Sequence, residues 1–461
     1  MLTVAAVTSH TLADRLALSA ARRPIGTARL DSWIARRRRA NPFDVTRVPF
    51  HELEGWRFAS GSGDLVHDSG RFFSVQGIHV ETDYGPVAEW SQPILDQPDR
   101  AILGILAREI NGVLHFLMQA KMEPGNENTV QISPTVQATP SNYTRAHKGG
   151  CAPYVEYFAE PGRGRVLVDV LQSEQGSWFR GKRNRNVVME ITGAVEHHDD
   201  FVWLTLGELY ALLRLPNVVN MDSRTVLSCL PLIGPGGDDL GISSTLEVSS
   251  WLTGRKARYE LTTSQVPLRS LADWERTDDE IRHSSGRYFS IIGVSVRATN
   301  REVRQWCQPL LAPRSEGLVA FIARRIDGVL HLLARADLRP GYRDVVELGP
   351  TVQCTPGNLA GQPERCPAFL DVVLSDDANV RFDVRQSEEG GRFQRAVTRH
   401  MIVEVGDDFP SAASPDYAWV TPAQLQDLIR SSYQVNIEAR SLFACLNAMS
   451  LEARSPEPAL R

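Results

Sequence analysis

The clearest chemical signal in the sequence is a strand pattern whose apolar face turns polar at its end. Alternate residues from 166 to 174 share that face, and they are Val166, Val168, Val170, Gln172 and Glu174. An apolar face that ends in an amide and a carboxylate carries those two groups from a core to the rim of a cavity. Burial there would raise the pKa of Glu174, which suits a general acid or base. The alternative is a strand that leaves the core and meets water.

The same pattern returns later in the chain, which favours a shared pocket over a chance strand end. The matching residues are Val380, Phe382, Val384, Gln386 and Glu388. Other polar and aromatic residues also match between the two regions and suit the binding of a polar ligand. They are Trp90, Gln92, Thr135, Gln137 and Thr139 in the first region, and Trp306, Gln308, Thr351, Gln353 and Thr355 in the second.

The first region differs from the second in having basic residues beside aromatic ones. Its two basic segments contain Trp178, Phe179, Lys182, Arg183 and Arg185, and Asn142, Tyr143, Arg145, His147 and Lys148. Aromatic rings can stack on a nucleotide base while guanidinium and ammonium groups hold its phosphates. An exposed hairpin would account for the same residues, so both interpretations stay open at this point.

These matches are part of a duplication that spans the chain. Ser-Gly-Arg-Phe-Phe-Ser at 69–74 recurs as Ser-Gly-Arg-Tyr-Phe-Ser at 285–290, and Pro-Thr-Val-Gln-Ala-Thr-Pro at 134–140 recurs with one change at 350–356. The second copy follows the first by 216 residues in both cases. A repeat of this length indicates duplicated domains and not a solenoid. The sequence therefore predicts five regions, which are an N-terminal helical segment over 1–29, a first repeat over 30–235, a linker over 236–247, a second repeat over 248–450 and a tail over 451–461.

Each repeat is predicted to be an α+β unit with a mixed sheet and helices at its C-terminal end. Residues 101–110 are apolar enough to form either a helix or a buried strand. Thr205 with Glu208 forms a capping box that predicts a helix start, and Thr421 with Gln424 repeats it. Strand patterns occupy three segments of the first repeat, namely 71–75, 113–120 and 166–173.

The composition excludes several classes of protein. A chain with 42% hydrophobic and 23% charged residues is globular, and a net charge of −5 provides no basic field for non-specific nucleic-acid binding. No apolar stretch reaches the roughly 18 residues of a membrane span. The six cysteines have no C-x-x-C spacing, so we expect reduced thiols and a cytoplasmic protein. Residues 1–30 lack a secretory signal, and 11–22 are predicted to form an amphipathic helix, with a transit peptide as the alternative.

Motifs for cofactors and metals are weak or missing. Residues 385–390 resemble the tail of a Nudix box but lack its upstream Gly and Glu, and 196–200 is a contiguous charged loop without a counterpart in the second repeat. Neither a G-x-G-x-x-G segment after a strand nor a P-loop occurs. The sequence therefore predicts no metal site, no nicotinamide site and no nucleoside triphosphate site.

Several of these segments together resemble the sugar nucleotide 2,3-dehydratase family, the NDP-4-keto-6-deoxy-hexose 2,3-dehydratases of deoxysugar pathways in antibiotic-producing bacteria. The resemblance implies a tandem Nudix-like α+β fold without the Nudix box, a homodimer, and no metal or nicotinamide cofactor. The first repeat departs from the family at Pro140, where a basic residue is usual, and the second has Leu359 where the first has Tyr143. The segments that carry the resemblance are 69–74, 119–126, 134–140, 142–145, 172–179 and 435–436.

The resemblance also implies a substrate such as dTDP-4-keto-6-deoxy-glucose and a set of residue roles. Glu174 is the expected base at C3 of the sugar, and Tyr143 or His147 the expected acid at the C2 oxygen. Gln137 and Gln172 are expected to hold sugar oxygens. Cations expected at the diphosphate are Lys121, Lys148, Lys182 and Arg183. The other substrate-binding residues expected in the first repeat are Trp90, Gln92, Thr139, Asn142, Arg145, Ser173, Trp178 and Phe179.

We expect the catalytic pocket in the first repeat, because that repeat has the titratable groups that an elimination needs. A second pocket, which could still bind a nucleotide, is expected to consist of Trp306, Gln308, Gln353, Thr355, Asn358, Gln386, Ser387 and Glu388. Two other functions fit the same residues. One is a nucleotide-sugar binding protein without catalysis, in which Glu174 only accepts hydrogen bonds. The other is a diphosphate hydrolase, which would need Mg²⁺ and release a nucleoside monophosphate.

Overall fold

A computed structural model describes most of the chain, and every structural statement below concerns these residues. They are 11–22, 27–139, 152–233, 240–299, 303–410 and 414–450. None of the helices in these ranges is both long and apolar enough to cross a membrane.

The first repeat is a series of strands framed by helices. Its elements, in chain order, are α1 (Leu12–Ala20), α2 (Thr27–Ala40), β1 (Phe43–Val48), β2 (Trp56–Phe58), β3 (Leu65–His67), β4 (Ser74–Thr82), β5 (Glu89–Asp96), β6 (Ile102–Ile110), β7 (Val113–Met122), β8 (Val130–Ser133), β9 (Val136–Ala138), α3 (Glu156–Ala159), β10 (Arg165–Ser173), β11 (Arg183–Glu190), β12 (Phe201–Thr205), α4 (Leu206–Leu213) and α5 (Met221–Ser228).

The second repeat has the same succession of strands. Its elements are α6 (Thr245–Arg258), β13 (Leu261–Val266), β14 (Trp274–Arg276), β15 (Glu280–His283), β16 (Phe289–Ala298), β17 (Gln305–Pro313), β18 (Gly317–Ile326), β19 (Val329–Leu338), β20 (Val346–Gly349), β21 (Val352–Cys354), α7 (Pro356–Leu359), α8 (Leu370–Val373), β22 (Val380–Ser387), β23 (Val397–Glu404), β24 (Tyr417–Val420), α9 (Pro422–Ile429) and α10 (Ile437–Ser450). Its helices differ in number from those of the first repeat before the first strand and between β21 and β22.

The two repeats share one sheet topology, which confirms the duplication. In the first repeat the large sheet has the order β10-β11-β6-β7-β12, with β8 and β9 attached to β7 and β6. The second repeat gives the same arrangement as β22-β23-β18-β19-β24, with β20 and β21 in the matching places. Strands β11 and β6 run parallel, as do β23 and β18, and their other neighbours run antiparallel. Each repeat is therefore a mixed-sheet α+β unit, as predicted.

The small sheets exchange their first strands between the repeats. Strand β1 of the first repeat pairs with β16 of the second, with Phe43 opposite Ala298. Strand β13 of the second repeat pairs with β4 of the first, with Leu261 opposite Thr82. Neither repeat completes its small sheet from its own residues, so the two repeats fold around each other.

The core is continuous across the repeats. Helices α4, α5, α9 and α10 pack with apolar residues of both large sheets in one cluster. At its centre lie two fully buried arginines at matching positions, Arg224 of α5 and Arg440 of α10. Arg224 donates to the backbone oxygen of Ser387 at 2.7 Å, and Arg440 donates to that of Ser173 at 2.6 Å. Each repeat thus satisfies a buried backbone oxygen of the other, at the end of the strand that carries its glutamate.

Local signals predicted most element boundaries correctly. The capping box of Thr205 and Glu208 begins α4, and that of Thr421 and Gln424 begins α9, as predicted. Residues 102–110 form strand β6, whose two faces are both buried, which is why its periodicity was ambiguous.

Two boundary predictions were wrong. The strand predicted over 71–75 begins only at Ser74, because Gly70 has φ +64° and the chain is still turning there. The linker predicted over 236–247 ends inside α6, which begins at Thr245 behind a capping box made by Ser244 and Glu247.

Candidate active site

A cavity of about 450 Å³ lies where residues of the two repeats meet. The first repeat lines it with polar side chains and with the aromatic rings of Trp56, Phe72, Phe73 and Phe179, and the second repeat closes it with Trp306 and a loop. The polar lining residues of the first repeat are His67, Gln97, Lys121, Glu123, Gln137, Thr139, Glu174, Lys182, Asn184 and Asp222. Those of the second are Trp306, Cys307, Gln308, Glu389 and Arg392.

Glu174 is held in the cavity by a fixed hydrogen-bond chain. It directly follows strand β10 and is 3% exposed. The backbone N–H of Ala101 donates to Oδ1 of Asn184 at 3.0 Å, which fixes the orientation of that amide. Nδ2 of Asn184 must then face Glu174, and it donates to Oε1 at 2.6 Å. A donor held in this way favours the ionised form of the carboxylate.

The environment of the cavity moves the pKa of a carboxyl and the pKa of a lysine toward neutral pH. Burial raises the pKa of Glu174 to about 7, an effect that Arg440 and Lys182 oppose and Glu389 reinforces. Burial lowers the pKa of Lys182 to about 8, although Glu174 acts in the other direction. Lys182 Nζ donates to the backbone oxygen of Asp99. A carboxylate with a pKa near 7 is suited to take a proton from carbon and to release it again.

A second group of charged residues lines the same cavity. Lys121 Nζ, near the end of β7, is 3.6 Å from Oε1 of Glu123, which also accepts a hydrogen bond from Nε2 of Gln137 at 2.9 Å. Asp222 in the first turn of α5 is 2% exposed, and burial raises its pKa well above the usual value. The cavity therefore combines cations with several carboxyls, and burial raises the pKa of Glu174 and of Asp222.

The second repeat supplies the remaining wall. Trp306 Nε1 donates to Oε1 of Gln308 at 2.9 Å, and Nε2 of Gln308 donates to the backbone oxygen of Gly391 at 2.7 Å. The guanidinium of Arg392 lies 4.2 Å from the centre of the Phe73 ring, and its Nε donates to Gln97 of the first repeat at 3.0 Å. These contacts hold the loop that bears Glu389 against the cavity.

Comparison with known proteins identifies the kind of chain that builds this cavity. The family model for NDP-hexose 2,3-dehydratases matches residues 27–230 and again 245–446. The chain belongs to this family. A protein of Saccharopolyspora spinosa named dTDP-4-dehydro-6-deoxy-alpha-D-glucopyranose 2,3-dehydratase is 49% identical over 94% of both chains. Proteins with the same name from Amycolatopsis orientalis and Streptomyces violaceoruber are each 48% identical, over 96% of both chains and over 92% of this chain and 97% of the relative. Dehydratases are hydro-lyases, so the chain is an enzyme of that class.

Several residues predicted for the dehydratase site lie in the cavity. Lys121, Gln137, Thr139, Phe179 and Lys182 line it together with Glu174. Tyr143 and His147, the predicted acids, lie outside the described residues. So do three predicted binding residues, namely Asn142, Arg145 and Lys148.

Gln172 does not lie in the cavity. It is fully buried, and Nε2 donates to the backbone oxygen of Ile429, the last residue of α9 in the other repeat, at 2.5 Å. Gln386 makes the matching bond to Leu213, the last residue of α4, at 2.7 Å. The prediction was wrong because the polar end of the strand is covered by the other repeat, so its amide satisfies a helix end.

The neighbouring serines are also structural. Oγ of Ser173 donates to Glu347 of the second repeat at 2.5 Å, and Oγ of Ser387 donates to Asn217 of the first at 3.0 Å. Both side chains are buried in the junction of the repeats. Their predicted role in binding substrate is not supported by this position.

Two of the cavity residues, Trp306 and Gln308, belong to the opposite repeat from Glu174. Trp306 and Gln308, predicted for a pocket of their own repeat, line the cavity of Glu174. Their counterparts Trp90 and Gln92 are outside its lining, where Nε2 of Gln92 donates to the backbone oxygen of Ser177 at 2.9 Å.

Two more predicted binding residues are also outside the cavity lining. The ring of Trp178 packs 4.5 Å from that of Phe393, and Arg183 donates to the hydroxyl of Tyr433 at 2.9 Å. The cavity of Glu174 is therefore built from both repeats, which a pattern within one repeat cannot reveal.

The matching region of the second repeat is occupied by its own side chains. Asp337, at the position of Lys121, accepts hydrogen bonds from Arg335 at 2.5 Å, Arg339 at 2.9 Å and Tyr342 at 3.0 Å. Burial acts to raise the pKa of Asp337, but the two arginines hold it below the usual value. The charges of Asp337, Arg335 and Arg339 are therefore paired with one another.

The other residues predicted for a second pocket also have partners within the protein. Oε1 of Gln353 accepts from Asn436 at 2.9 Å, and Oε2 of Glu388 accepts from Gln175 at 2.9 Å. Oδ1 of Asn358 accepts from the backbone N–H of Tyr288 at 2.9 Å, and Thr355 directly precedes α7. This region is therefore a network of internal hydrogen bonds.

Sequence reasoning missed several polar residues of the cavity. They are His67, Gln97, Glu123, Asn184, Asp222, Cys307, Glu389 and Arg392. A signal for two of them was present, because the aligned repeats have Gln175 opposite Glu389 and Trp178 opposite Arg392. Among the described residues, no group of three His, Cys, Asp or Glu could hold a metal ion.

Asn184 should set the pH range in which Glu174 is ionised. Replacing Asn184 by Ala removes the donor to Oε1, so the pKa of Glu174 rises and the base is ionised only at higher pH. A hydrogen bond to a charged group contributes roughly 1.5–3 kcal/mol, so the acidic limb of kcat/KM against pH should move up by about one pH unit or more. Thr398→Ala, the matching position of the second repeat, should leave that limb in place. An unmoved limb in Asn184→Ala would contradict this role.

Proposed function

We propose that this chain eliminates water from a dTDP-4-keto-6-deoxy-hexose, such as dTDP-4-keto-6-deoxy-glucose, to give the 3,4-diketo-2,6-dideoxy sugar nucleotide. The observation that carries the proposal is Glu174, a buried carboxylate with a pKa of about 7 beside a cation in a cavity large enough for a sugar. Relatives that are 48–49% identical bear the name of this activity.

The elimination needs a base and a group that stabilises the negative charge on the enolate oxygen. The C4 ketone acidifies the hydrogen at C3, and the C2 hydroxyl is β to the resulting carbanion, so it can leave as water. Glu174 takes the C3 proton. Lys182, held beside it by the oxygen of Asp99, stabilises the enolate oxygen as charge develops there. The elimination changes no oxidation state overall, so it requires no redox cofactor.

The walls of the cavity suit a nucleoside diphosphate. Trp306 presents an aromatic surface, and Arg392 adds a cation at the Phe73 side. Lys121 is a further cation toward a phosphate. Arg183, predicted to hold the diphosphate, donates to Tyr433 and lies outside the cavity lining, whereas Arg392 lines the cavity and takes its place in this proposal.

The finer parts of the family resemblance belong to the same proposal. We infer that each repeat is related to the Nudix fold, that the enzyme works as a homodimer in the cytoplasm, and that its product enters deoxysugar assembly for an antibiotic. The mixed sheet with a parallel central pair in each repeat supports the first of these.

Incubation with dTDP-4-keto-6-deoxy-glucose tests the function directly. We expect loss of water with the nucleotide diphosphate intact, detected by mass spectrometry after trapping of the diketone. Exhaustive chelation should leave the rate unchanged, because Lys182 and Lys121 supply the positive charge. Binding without turnover would favour a non-catalytic protein. Release of dTMP, dependent on Mg²⁺, would favour a hydrolase.

A further inference from the structure

The cavity contains a second strand-end glutamate, and it comes from the second repeat. Glu389 lies two residues beyond β22, is half-buried, and lines the cavity with Glu174. Its loop is fixed to the first repeat by two backbone hydrogen bonds of 2.7 Å. Gly125 N–H donates to the oxygen of Gly390, and Arg395 N–H donates to the oxygen of Gly125.

The pseudo-symmetry of the repeats indicates what Glu389 faces. Its counterpart Gln175 donates through Nε2 to Oε2 of Glu388 at 2.9 Å, and Glu388 is the counterpart of Glu174. The residue after the strand-end glutamate of one repeat therefore contacts the strand-end glutamate of the other. By the same relation, Glu389 is expected to contact Glu174 in the cavity. In agreement, Glu389 is among the groups that raise the pKa of Glu174.

Two carboxyls so placed hold one proton between them near neutral pH, because like charges in a buried site cannot both be ionised. Burial raises the pKa of Glu389 to about 7, as it does for Glu174, and in Glu389 the nearby charge of Glu123 reinforces the rise. The fixed amide of Asn184 donates to Glu174 and favours its ionised form. Arg392 directs its hydrogen bonds to Gln97 and to the backbone of Gly391, and its charge, like those of Lys182 and Lys121, opposes the rise in the pKa of Glu389. Of the two carboxyls, Glu174 has the fixed side-chain donor, so we place the shared proton on Glu389.

Building on the proposed function, we propose that Glu389 is the general acid that protonates the departing C2 hydroxyl while Glu174 is the base at C3. The active site then consists of an acid from one repeat and a base from the other. The second region cannot perform the reaction in this way, because Gln175 replaces the acid and binds Glu388.

The proton balance of the reaction closes within this pair. The C3–H bond breaks, its proton goes to Glu174, and its electrons form the enolate. The C2–O bond then breaks as the C2=C3 bond forms, and the proton of Glu389 leaves with the hydroxyl as water. The resulting C3 enol gives its O–H proton to Glu389, while Glu174 returns its proton to C2. The diketone forms, and both carboxyls regain their starting states.

Glu389→Gln separates the two roles. The substitution keeps a neutral side chain of the same shape and places at 389 the residue that the first repeat has at 175. We expect dehydration to fall by about 10²–10⁴-fold with dTDP affinity unchanged, while C3–H exchange into D₂O, read by NMR, continues. Glu174→Gln should lower both dehydration and exchange by about 10²–10⁴-fold. Glu388→Gln, one residue earlier in the same loop, should behave as the wild type.

The outcomes distinguish this assignment from the proposed function. A wild-type enzyme that dehydrates, with Glu389→Gln within a few fold of it, would overturn the acid role alone. Loss of exchange in Glu389→Gln, or loss of its dTDP binding, would also overturn it, since the residue would then belong to the base or to nucleotide binding. A wild-type enzyme that neither dehydrates nor exchanges C3–H would reject the proposed function itself.

Discussion

Glu174→Gln should lower kcat for dehydration by about 10²–10⁴-fold, the usual effect of removing a general base. Gln keeps the shape and can still pair with Asn184, which holds Glu174 at 2.6 Å, so the cavity should stay intact. It cannot take the C3 proton. Because the base acts on the sugar ring, the affinity for dTDP should be nearly unchanged. Steady-state kinetics and calorimetric titration with dTDP measure the two quantities separately.

Glu388→Gln is the matched control for this prediction. Glu388 ends the equivalent strand, but it already accepts a hydrogen bond from Gln175 and lies outside the cavity lining. Its replacement should change kcat only slightly. If Glu388→Gln were the damaging change and Glu174→Gln the mild one, catalysis would belong to the second repeat and the residue roles proposed for the first would fail together.

The duplication and the strand-end glutamate could be predicted because local patterns in the amino-acid sequence specify both. A period of two places Glu174 on the apolar face of β10 whatever surrounds the strand. The capping boxes at Thr205 and Thr421 are equally local, since each joins residues three apart. These features do not depend on how the two repeats pack against each other.

The composition of the site could not be predicted, because it depends on how the repeats dock. The pattern that placed Gln172 on the same face as Glu174 says nothing about what covers that face, and the end of α9 covers Gln172. Trp306 and Glu389 reach the cavity from the other repeat, because exchange of β1 and β13 joins the two repeats. A charge difference between aligned positions, such as Gln175 against Glu389, was the available sign that the two sites had diverged.

Gly125→Ala should damage both stability and activity, because the backbone of Gly125 packs directly against the loop that bears Glu389. A Cβ at this position would lie 1.8 Å from the backbone oxygen of Phe393, which cannot move aside like a side chain. The two hydrogen bonds of the Gly125 backbone to the loop that bears Glu389 would be strained or lost. Overpacking of this kind costs about 3 kcal/mol, which we expect as a loss in the free energy of unfolding. The displacement of Glu389 should lower kcat as well.

Gly254→Ala provides the control. Gly254 is exposed in the middle of α6, and a Cβ there meets no atom within 4 Å. Because Ala is the better helix former, this change should raise the free energy of unfolding by about 1 kcal/mol and leave kcat unchanged. Denaturant unfolding and turnover of both variants check the prediction. If Gly125→Ala unfolded and turned over like the wild type, the contact between the 123–126 turn and the loop of Glu389 would not be needed to hold the acid in the cavity.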